Sequence, residues 1–497
     1  MKKLESVEFP LDPYFKGTLY PFQTVGANFL YRSKRALLGD PVGLGKTVMA
    51  IAAGLMALTQ GKIEFMLIVV PANLATKWHK EVEKFTTLDA VNMKYVGKRL
   101  PAYKKLFETE HRNTMIAITS YASLVRDCFK GDKIRNDGLI SLLKKSNIKL
   151  GIVFDEIQKC KHRTSKRTQA ALALADYAEH AYGLSATYIE GRLEELFNVF
   201  KVVQPKALGT FPRFAAAHFI ENMDGKVVRY KNLERVRHTI DPYVIRRLVE
   251  DVGVQMPREI YQEYWINLSE TQQGLYRTLV DDHLAILNSG GNVLVEMLKE
   301  RECCLSTELI NPEIRESPKI EALKDIIESL EPDAKVVVFC FFADRVPMVD
   351  IIERELVEHG RLQYNPYEVL KLKGKMSDAE MDKVRDKFAE DPKCKVLVTS
   401  DVSKEGHDLV AARHLVHFDL LWNPAQMRQR SGRIVRLTQK ASQVVFHTII
   451  TKGTIEEYMW EVVMRKGEVM KQIQDAGREE VRITKLEAIN ILENYRG

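Results

Sequence analysis

A chain of 497 residues is too long for one hydrophobic core of ordinary size, so two or three domains are expected. Apolar residues at 45% and charged residues at 28% are those of a water-soluble globular protein, and no apolar run approaches the length of a membrane-spanning helix. The net charge of +7 permits a polyanionic partner but equally describes an ordinary solvated surface.

The first residues, MKKLESVEFPLDPYF, lack the apolar centre of a secretory signal, so an intracellular protein is expected. In GTLYPFQTVGANFLY (17–31), Leu19, Phe22, Val25, Phe29 and Leu30 recur at helical spacing around Pro21, which predicts a short amphipathic helix. Gln23 at its start carries a donor and an acceptor suited to an adenine edge, and a surface glutamine reads the same way.

Leu37 to Ala50, LLGDPVGLGKTVMA, is an apolar strand, a Gly-rich turn and a helix start. Such a turn makes an anion cradle, because backbone N–H groups and the positive end of the helix dipole point at one spot. Gly43 and Gly45 let the backbone approach closely, Lys46 matches β/γ-phosphates and Thr47 offers a hydroxyl to Mg²⁺. Asp40 stands where the general pattern has glycine, and an ordinary strand-to-helix turn is the alternative.

Met66–Val70 is a continuous apolar run of the kind buried in parallel sheets, ended by Pro71 and followed by a helix with Trp78, Val82 and Phe85 on one face. Asn113 to Tyr121 and Leu150 to Gln158 (LGIVFDEIQ) are further strands, the second ending in Asp155 and Glu156, and Tyr182 to Thr187 (YGLSAT) ends in Ser185 and Thr187. Strands that end in polar residues and lead into helices predict a doubly wound α/β sheet, whose ligands bind beyond the carboxyl ends of the strands. Asp155, Glu156, Ser185 and Thr187 are therefore expected on the rim that holds Lys46. Adjacent acids at a strand end also suit a helix N-terminus; with the cradle on the same rim, the catalytic reading is preferred.

Residues 201–245 read as helical elaboration of this first lobe, residues 1–245, with the crossing near Arg246. Residues 265–330 read as a helical insertion in the second lobe, residues 246–497. The six cysteines, none in a C-x-x-C pair and two adjacent at Cys303 and Cys304, exclude a zinc knuckle or a disulfide framework and suggest thiols in a reducing compartment. A second strand–helix alternation runs through 335–342, 395–400, 414–420 and 444–450, so the predicted fold class is α/β, two parallel-sheet lobes in tandem. In QMRQRSGRIVRLTQ, Arg430, Arg433 and Arg436 recur every three residues, which on a helix places them on one broad face. That face suits a solvated surface, a nucleic-acid contact or a transferring phosphoryl group.

The ordered set LYPFQ (19–23), GLGKT (43–47), DEIQ (155–158), GLSAT (183–187), WNPAQ (422–426) and QRSGRIVR (429–436) resembles the superfamily 2 helicase-like ATPases, in particular the Swi/Snf branch, whose lobes are RecA-like. The likeness runs from about Leu19 to about Lys471. It implies an ATP- and Mg²⁺-dependent motor. Gln23 would read adenine; Asp40, Gly43, Leu44, Gly45, Lys46 and Thr47 would hold phosphates, with Gln429 beside them. Thr47 and Asp155 would serve the metal, and Glu156 would activate water. Arg433 and Arg436 would reach the γ-phosphate, while Gln158, Ser185, Thr187, Gly406 and Asp408 would couple the nucleotide to the second lobe. The family has Asp at position 40 itself. Tyr188 replaces a usual proline and Ser403-Lys404 a double glycine, and KEGHDL (404–409) is nearer to bacterial members, including RNA-polymerase-recycling ATPases.

The resemblance further implies duplex or branched DNA as partner, gripped through Lys77, Ser120, Tyr121, Lys373, Gly374, Ser400 and Lys404, with Trp422 a base-stacking candidate that suits the core better. RNA polymerase or replication and recombination proteins would be further partners, and the motor would work as a monomer without a membrane. A compact bacterial or viral member is expected, acting in the cytoplasm (in the nucleus of a eukaryote) on forks and branched DNA by branch migration. An RNA-polymerase remodeller, an RNA-dependent helicase and a pure binding module are the competing readings; intact Lys46, Glu156, Arg433 and Arg436 speak against the last.

Overall fold

The computed structural model describes residues 14–108, 114–186, 188, 193–222, 227–247, 252–253, 256–288, 293–341, 347–363, 366–373, 376–400, 408–422, 424–436 and 438–464. The chain divides into two compact units, one running through residue 254 and the other starting at 255.

The first unit is built on seven strands: β1 (Arg35–Leu38), β2 (Phe65–Val70), β3 (Asp89–Asn92), β4 (Thr114–Ser120), β7 (Leu150–Asp155), β8 (His180–Leu184) and β11 (Val244–Ile245). They lie in the order β11-β1-β8-β7-β2-β4-β3, and every pairing is parallel. Two antiparallel ribbons decorate the unit, β5 (Phe129–Lys130) with β6 (Lys133–Ile134), and β9 (Phe219–Glu221) with β10 (Val227–Tyr230). Strands β2 and β8 are buried along their whole length, as parallel strands covered on both faces must be. Three helices position the site: α1 (Pro21–Ser33), α2 (Lys46–Thr59) and α3 (Ala75–Phe85). Pro21 opens α1, where its missing N–H costs nothing. Helix α2 is buried from Val48 to Leu58, because KTVMAIAAGLMALT is apolar on every side and packs into the sheet. Opposite it, Phe65, Leu67, Phe154, Leu174 and Val199 fill the other face.

The second unit has six strands, β12 (Arg258–Ile266), β13 (Val336–Phe339), β14 (Glu368–Leu372), β15 (Cys394–Thr399), β16 (His414–His417) and β17 (Gln443–Thr451), in the order β12-β17-β16-β13-β15-β14, again all parallel. The expected tandem α/β architecture is the observed one. Helices Glu270–Asn288, Val293–Leu305 and Pro318–Ser329 occupy the stretch read as helical. That reading erred at its start: β12 runs to Ile266, an edge strand whose exposed charged residues hide the strand pattern. Among the described residues no helix is long and apolar enough to cross a membrane.

Candidate nucleotide site

Strand β1 ends at Leu38 and α2 begins at Lys46, with the phosphate loop between them. Gly43 and Gly45 stand at φ +94° and +80°, the left-handed region where a side chain is strained. A Cβ on Gly45 would also come 2.4 Å from the Gln23 amide nitrogen. Gln23 is buried and bridges α1 to the loop: its Oε1 accepts from the main-chain N–H of Tyr20 at 3.1 Å, and its Nε2 donates to the Leu44 carbonyl at 3.2 Å. No side chain caps the start of α2, so its first-turn N–H groups stay available to an anion. The Lys46 ammonium lies back along the loop, donating to the carbonyls of Asp40 at 2.8 Å and Pro41 at 3.0 Å.

Asp155 ends β7, beside the strand that leads to Ser185. Its Oδ2 accepts the indole N–H of Trp78 at 2.7 Å, its Oδ1 accepts the main-chain N–H of Glu156 at 3.0 Å, and its carbonyl accepts the Tyr121 hydroxyl at 2.8 Å. Burial pushes this carboxyl above its usual range, opposed by the Trp78 hydrogen bond and by the charges of Lys46 and Lys77. A half-buried carboxylate within the field of Lys46, together with the Thr47 hydroxyl, is a hard oxygen set that fits Mg²⁺. Glu156 sits at φ +49°, a left-handed conformation rare for a side-chain-bearing residue, and the Gln158 amide donates to its Oε2. Ser185 is buried, its N–H donating to the Leu38 carbonyl at 3.2 Å, so it lies beside the start of the phosphate loop. Thr187 lies outside the described residues. The first unit thus gathers Gln23, Lys46, Asp155 and Ser185 on one rim.

Two contacts were not anticipated. Trp78 was read as a packing residue; its indole N–H instead orients Asp155. Arg247, just beyond β11, forms an ion pair with the buried Asp40. Neither carries a local sequence pattern.

In the second unit the three arginines do not share a helical face. The helix Pro424–Ser431 stops at Ser431, and Arg433 and Arg436 lie in the turns beyond Gly432. Arg430 points into the core: its Nη1 donates to the Asp419 carbonyl and its Nη2 to Asp419 Oδ1, both at 3.0 Å, with its guanidinium 5.7 Å from the Phe339 ring centre. Arg433 is largely buried and its carbonyl accepts from Leu409 N–H at 2.8 Å; Arg436 Nε donates to Asp408 at 2.9 Å. Gln429 is half-buried on the helix, one residue before Arg430.

The residues expected at the track have mixed surroundings. Lys77 is half-buried on the first turn of α3. Ser120 is buried and caps the helix Tyr121–Cys128 by accepting from Ser123 N–H. Tyr121 is buried too, with its hydroxyl on Asp155. Both therefore support the rim from inside rather than presenting side chains to a track. Lys373 pairs with Asp350, and Ser400 is buried at the end of β15. Gly374, Lys404 and Gly406 lie outside the described residues. Trp422 packs in an apolar cluster, edge-on to Tyr458 at 6.1 Å, in keeping with a core role.

The chain is 27% identical over 469 residues to the putative ATP-dependent helicase/translocase YwqA of Bacillus subtilis, covering 90% of this chain and 48% of that protein. It is 25% identical over 480 residues to the uncharacterized ATP-dependent helicase YqhH of the same organism, covering 93% and 79%. Human ZRANB3, a DNA annealing helicase and endonuclease, is 25% identical over 489 residues, covering 94% and 41%. The chain thus spans about half or less of two of these relatives. The Sulfolobus solfataricus SWI2/SNF2 ATPase core in complex with double-stranded DNA has 22% identity and a TM-score of 0.42, covering 98% of this chain and 97% of that one. The helicase conserved C-terminal domain matches residues 318–438, and the SNF2-related domain matches residues 22–309. With that match over more than half of its length, the chain belongs to the SNF2-related family, the Swi/Snf branch of the superfamily 2 helicase-like ATPases.

Proposed function

We propose that the chain is an ATP-dependent translocase on double-stranded DNA whose ATP hydrolysis is stimulated by that DNA. The observation that carries the reading is the rim of the first unit, which bears Lys46, an uncapped helix N-terminus and the half-buried, indole-oriented Asp155. The first-turn N–H groups of α2 bind phosphate oxygens, and Lys46 exchanges the carbonyls of Asp40 and Pro41 for them. An amide has two N–H hydrogens and two oxygen lone pairs, so Gln23 keeps one of each for adenine beyond its bonds to Tyr20 and Leu44. Thr47 and Asp155 would hold Mg²⁺, which would supply positive charge against the triphosphate.

Glu156 receives a proton from the attacking water as the water oxygen bonds to the γ-phosphorus and the bond to the ADP oxygen breaks. The Gln158 amide on Oε2 holds that carboxylate in place. Arg433 and Arg436 are the guanidinium groups that the family resemblance assigns to the γ-phosphate. On the track side, Lys77 neighbours Trp78, which places a phosphate contact one residue from the group that orients Asp155.

A task on forks and branched DNA is supported by the named activity of ZRANB3, a DNA annealing helicase, and a bacterial cytoplasmic setting by YwqA and YqhH. The test is ATP hydrolysis with duplex, single-stranded, branched DNA and RNA side by side. Duplex or branched DNA should stimulate most, with Lys46→Ala and Glu156→Gln abolishing the activity while duplex binding persists. Stimulation by RNA alone would move the protein to the RNA helicases, and full activity in either variant would refute the site.

A further inference from the structure

Asp40 faces two ways. Its main-chain carbonyl accepts from Lys46 Nζ at 2.8 Å, while its carboxylate, 0% exposed, is held by Arg247, 207 positions along the chain. Oδ1 accepts the main-chain N–H of Arg247 at 3.0 Å and its Nε at 3.2 Å, and Oδ2 accepts Nη2. The same guanidinium donates from Nη1 to the carbonyl of Phe22, lies 5.3 Å from the Phe22 ring centre and meets Met49 Sδ at 3.4 Å. Gly26 makes room for it: a Cβ there would stand 2.9 Å from Nη2 and 2.4 Å from Met49 Sδ. One side chain therefore joins the helix that carries Gln23, the carboxylate of the phosphate loop and the first turns of α2.

Its place in the chain matters as much. Arg247 follows β11, the edge strand that pairs with β1, and the second unit begins at residue 255. The segment leaving the first unit is fastened to the phosphate loop before it goes anywhere else. A buried ion pair adds little net stability over apolar packing, but a guanidinium fork fixes the direction and distance of a carboxylate as a lysine cannot.

We propose that Arg247 is the positioning residue of the phosphate loop: it sets where Asp40 stands, through Asp40 it sets where Lys46 rests, and it makes the loop answer to the chain that leaves the unit. This inference rests on the proposed nucleotide site. With the loop held in shape beforehand, less ordering opposes nucleotide binding. Loosening it should weaken affinity more than it slows the bound enzyme.

The full-length protein and its Arg247→Lys, Arg247→Met, Asp40→Asn, Asp40→Asn/Arg247→Lys and Lys46→Ala variants would be titrated with a fluorescent ATP analogue, followed by steady-state ATPase kinetics and thermal melting. For Arg247→Lys the analogue should bind about tenfold more weakly and KM for ATP should rise alike, while kcat changes less than about threefold. The double variant should lose no more affinity than the worse single one, as expected for residues acting as a unit. A merely structural pair would lower the melting midpoint and leave affinity and KM of the folded protein unchanged. Arg247→Met shows the larger effect if it folds, and Arg247→Lys, which keeps the charge, decides otherwise. Binding by Arg247→Lys within about twofold of the unaltered protein, while Lys46→Ala fails to bind, overturns the proposal. If the unaltered protein does not bind, or Lys46→Ala binds equally well, the nucleotide-site reading itself falls and takes this one with it.

Discussion

Around the phosphate loop of the first unit, three groups are tied by partners from other elements: the Asp155 carboxylate by Trp78, the Asp40 carboxylate by Arg247 and the Leu44 carbonyl by Gln23. The arginine segment of the second unit is held differently. Its main chain is strapped, Arg433 carbonyl to Leu409 and Arg436 carbonyl to Gln439, and the Arg436 side chain pairs with Asp408, an acid that is itself part-exposed. Between these plans sits Arg430, three residues before Arg433, with both Nη groups of its guanidinium inside the core on Asp419. The same side chain is bolted to a buried acid at Arg430 and pairs with an acid that water reaches at Arg436.

That contrast can be broken by exchanging the two roles. Under the proposed mechanism, Arg436→Ala should lower the DNA-stimulated turnover by about 10³-fold, the size expected of a guanidinium that meets a transferring phosphoryl group, while stability changes by less than about 1 kcal/mol. Arg430→Ala should do the reverse. Removing it takes away the guanidinium that pairs with the buried Asp419, whose remaining neighbours include the Phe341 N–H at 2.9 Å and Arg301 at 4.0 Å, and should cost about 3–5 kcal/mol in the unfolding of the second unit. Denaturant unfolding and ATPase rates on the same two variants give the comparison directly. Equal stability losses in both would erase the distinction.

The parts of this architecture that could be read from the sequence are those whose cause is local. LGIVFDEIQ is legible because a strand buried on both faces must be continuously apolar and the acids follow at its end, and the phosphate loop because glycine, lysine and threonine there act on adjacent atoms. Arg247 is not legible by the same route, since the acid it serves is 207 residues away and PYVIRRLVEDV reads locally as an ordinary basic flank. Trp78 was seen at the right spacing for packing, and it does pack; nothing local announces that its one polar atom faces Asp155. The arginine face failed for a different reason. A three-residue spacing puts side chains together only while the helix continues, and here it ends at Ser431, one residue before glycine. Strand β12 was missed because an edge strand need not be apolar, and REIYQEYWI keeps its polar side chains in water.

The Trp78 contact offers a smaller effect on the first unit. Trp78→Phe keeps most of the ring and removes the hydrogen bond to a carboxylate, which is worth about 1.5–3 kcal/mol when the acceptor is charged. The expected result is a need for more Mg²⁺ to reach half-maximal ATP hydrolysis and a reduced DNA stimulation, with basal duplex affinity kept. An unchanged Mg²⁺ requirement would return Trp78 to a packing role.

Acid separates the two units most gently. In the second unit burial lowers His447 to about 3, and lowers His414 and His417 as well, with Arg430 adding to the effect on His417. In the first unit burial lowers His180 to about 4. A histidine whose folded pKa lies below its unfolded value of 6.5 binds fewer protons in the folded state, so stability is flat above 6.5 and falls as pH drops from there towards the folded pKa. Each such group contributes a slope of up to about 1.4 kcal/mol per pH unit across that window. Because His414 Nδ1 and His447 Nε2 stand 3.1 Å apart, a second proton there meets the first, and the two charge together only at greater cost. Between about pH 6 and pH 4.5 the second unit should therefore lose stability more steeply than the first, as read by urea unfolding followed separately in each unit. His447→Gln should flatten that slope in the second unit alone; a slope left unchanged would mean that carboxylates, and not this histidine pair, set its acid limit.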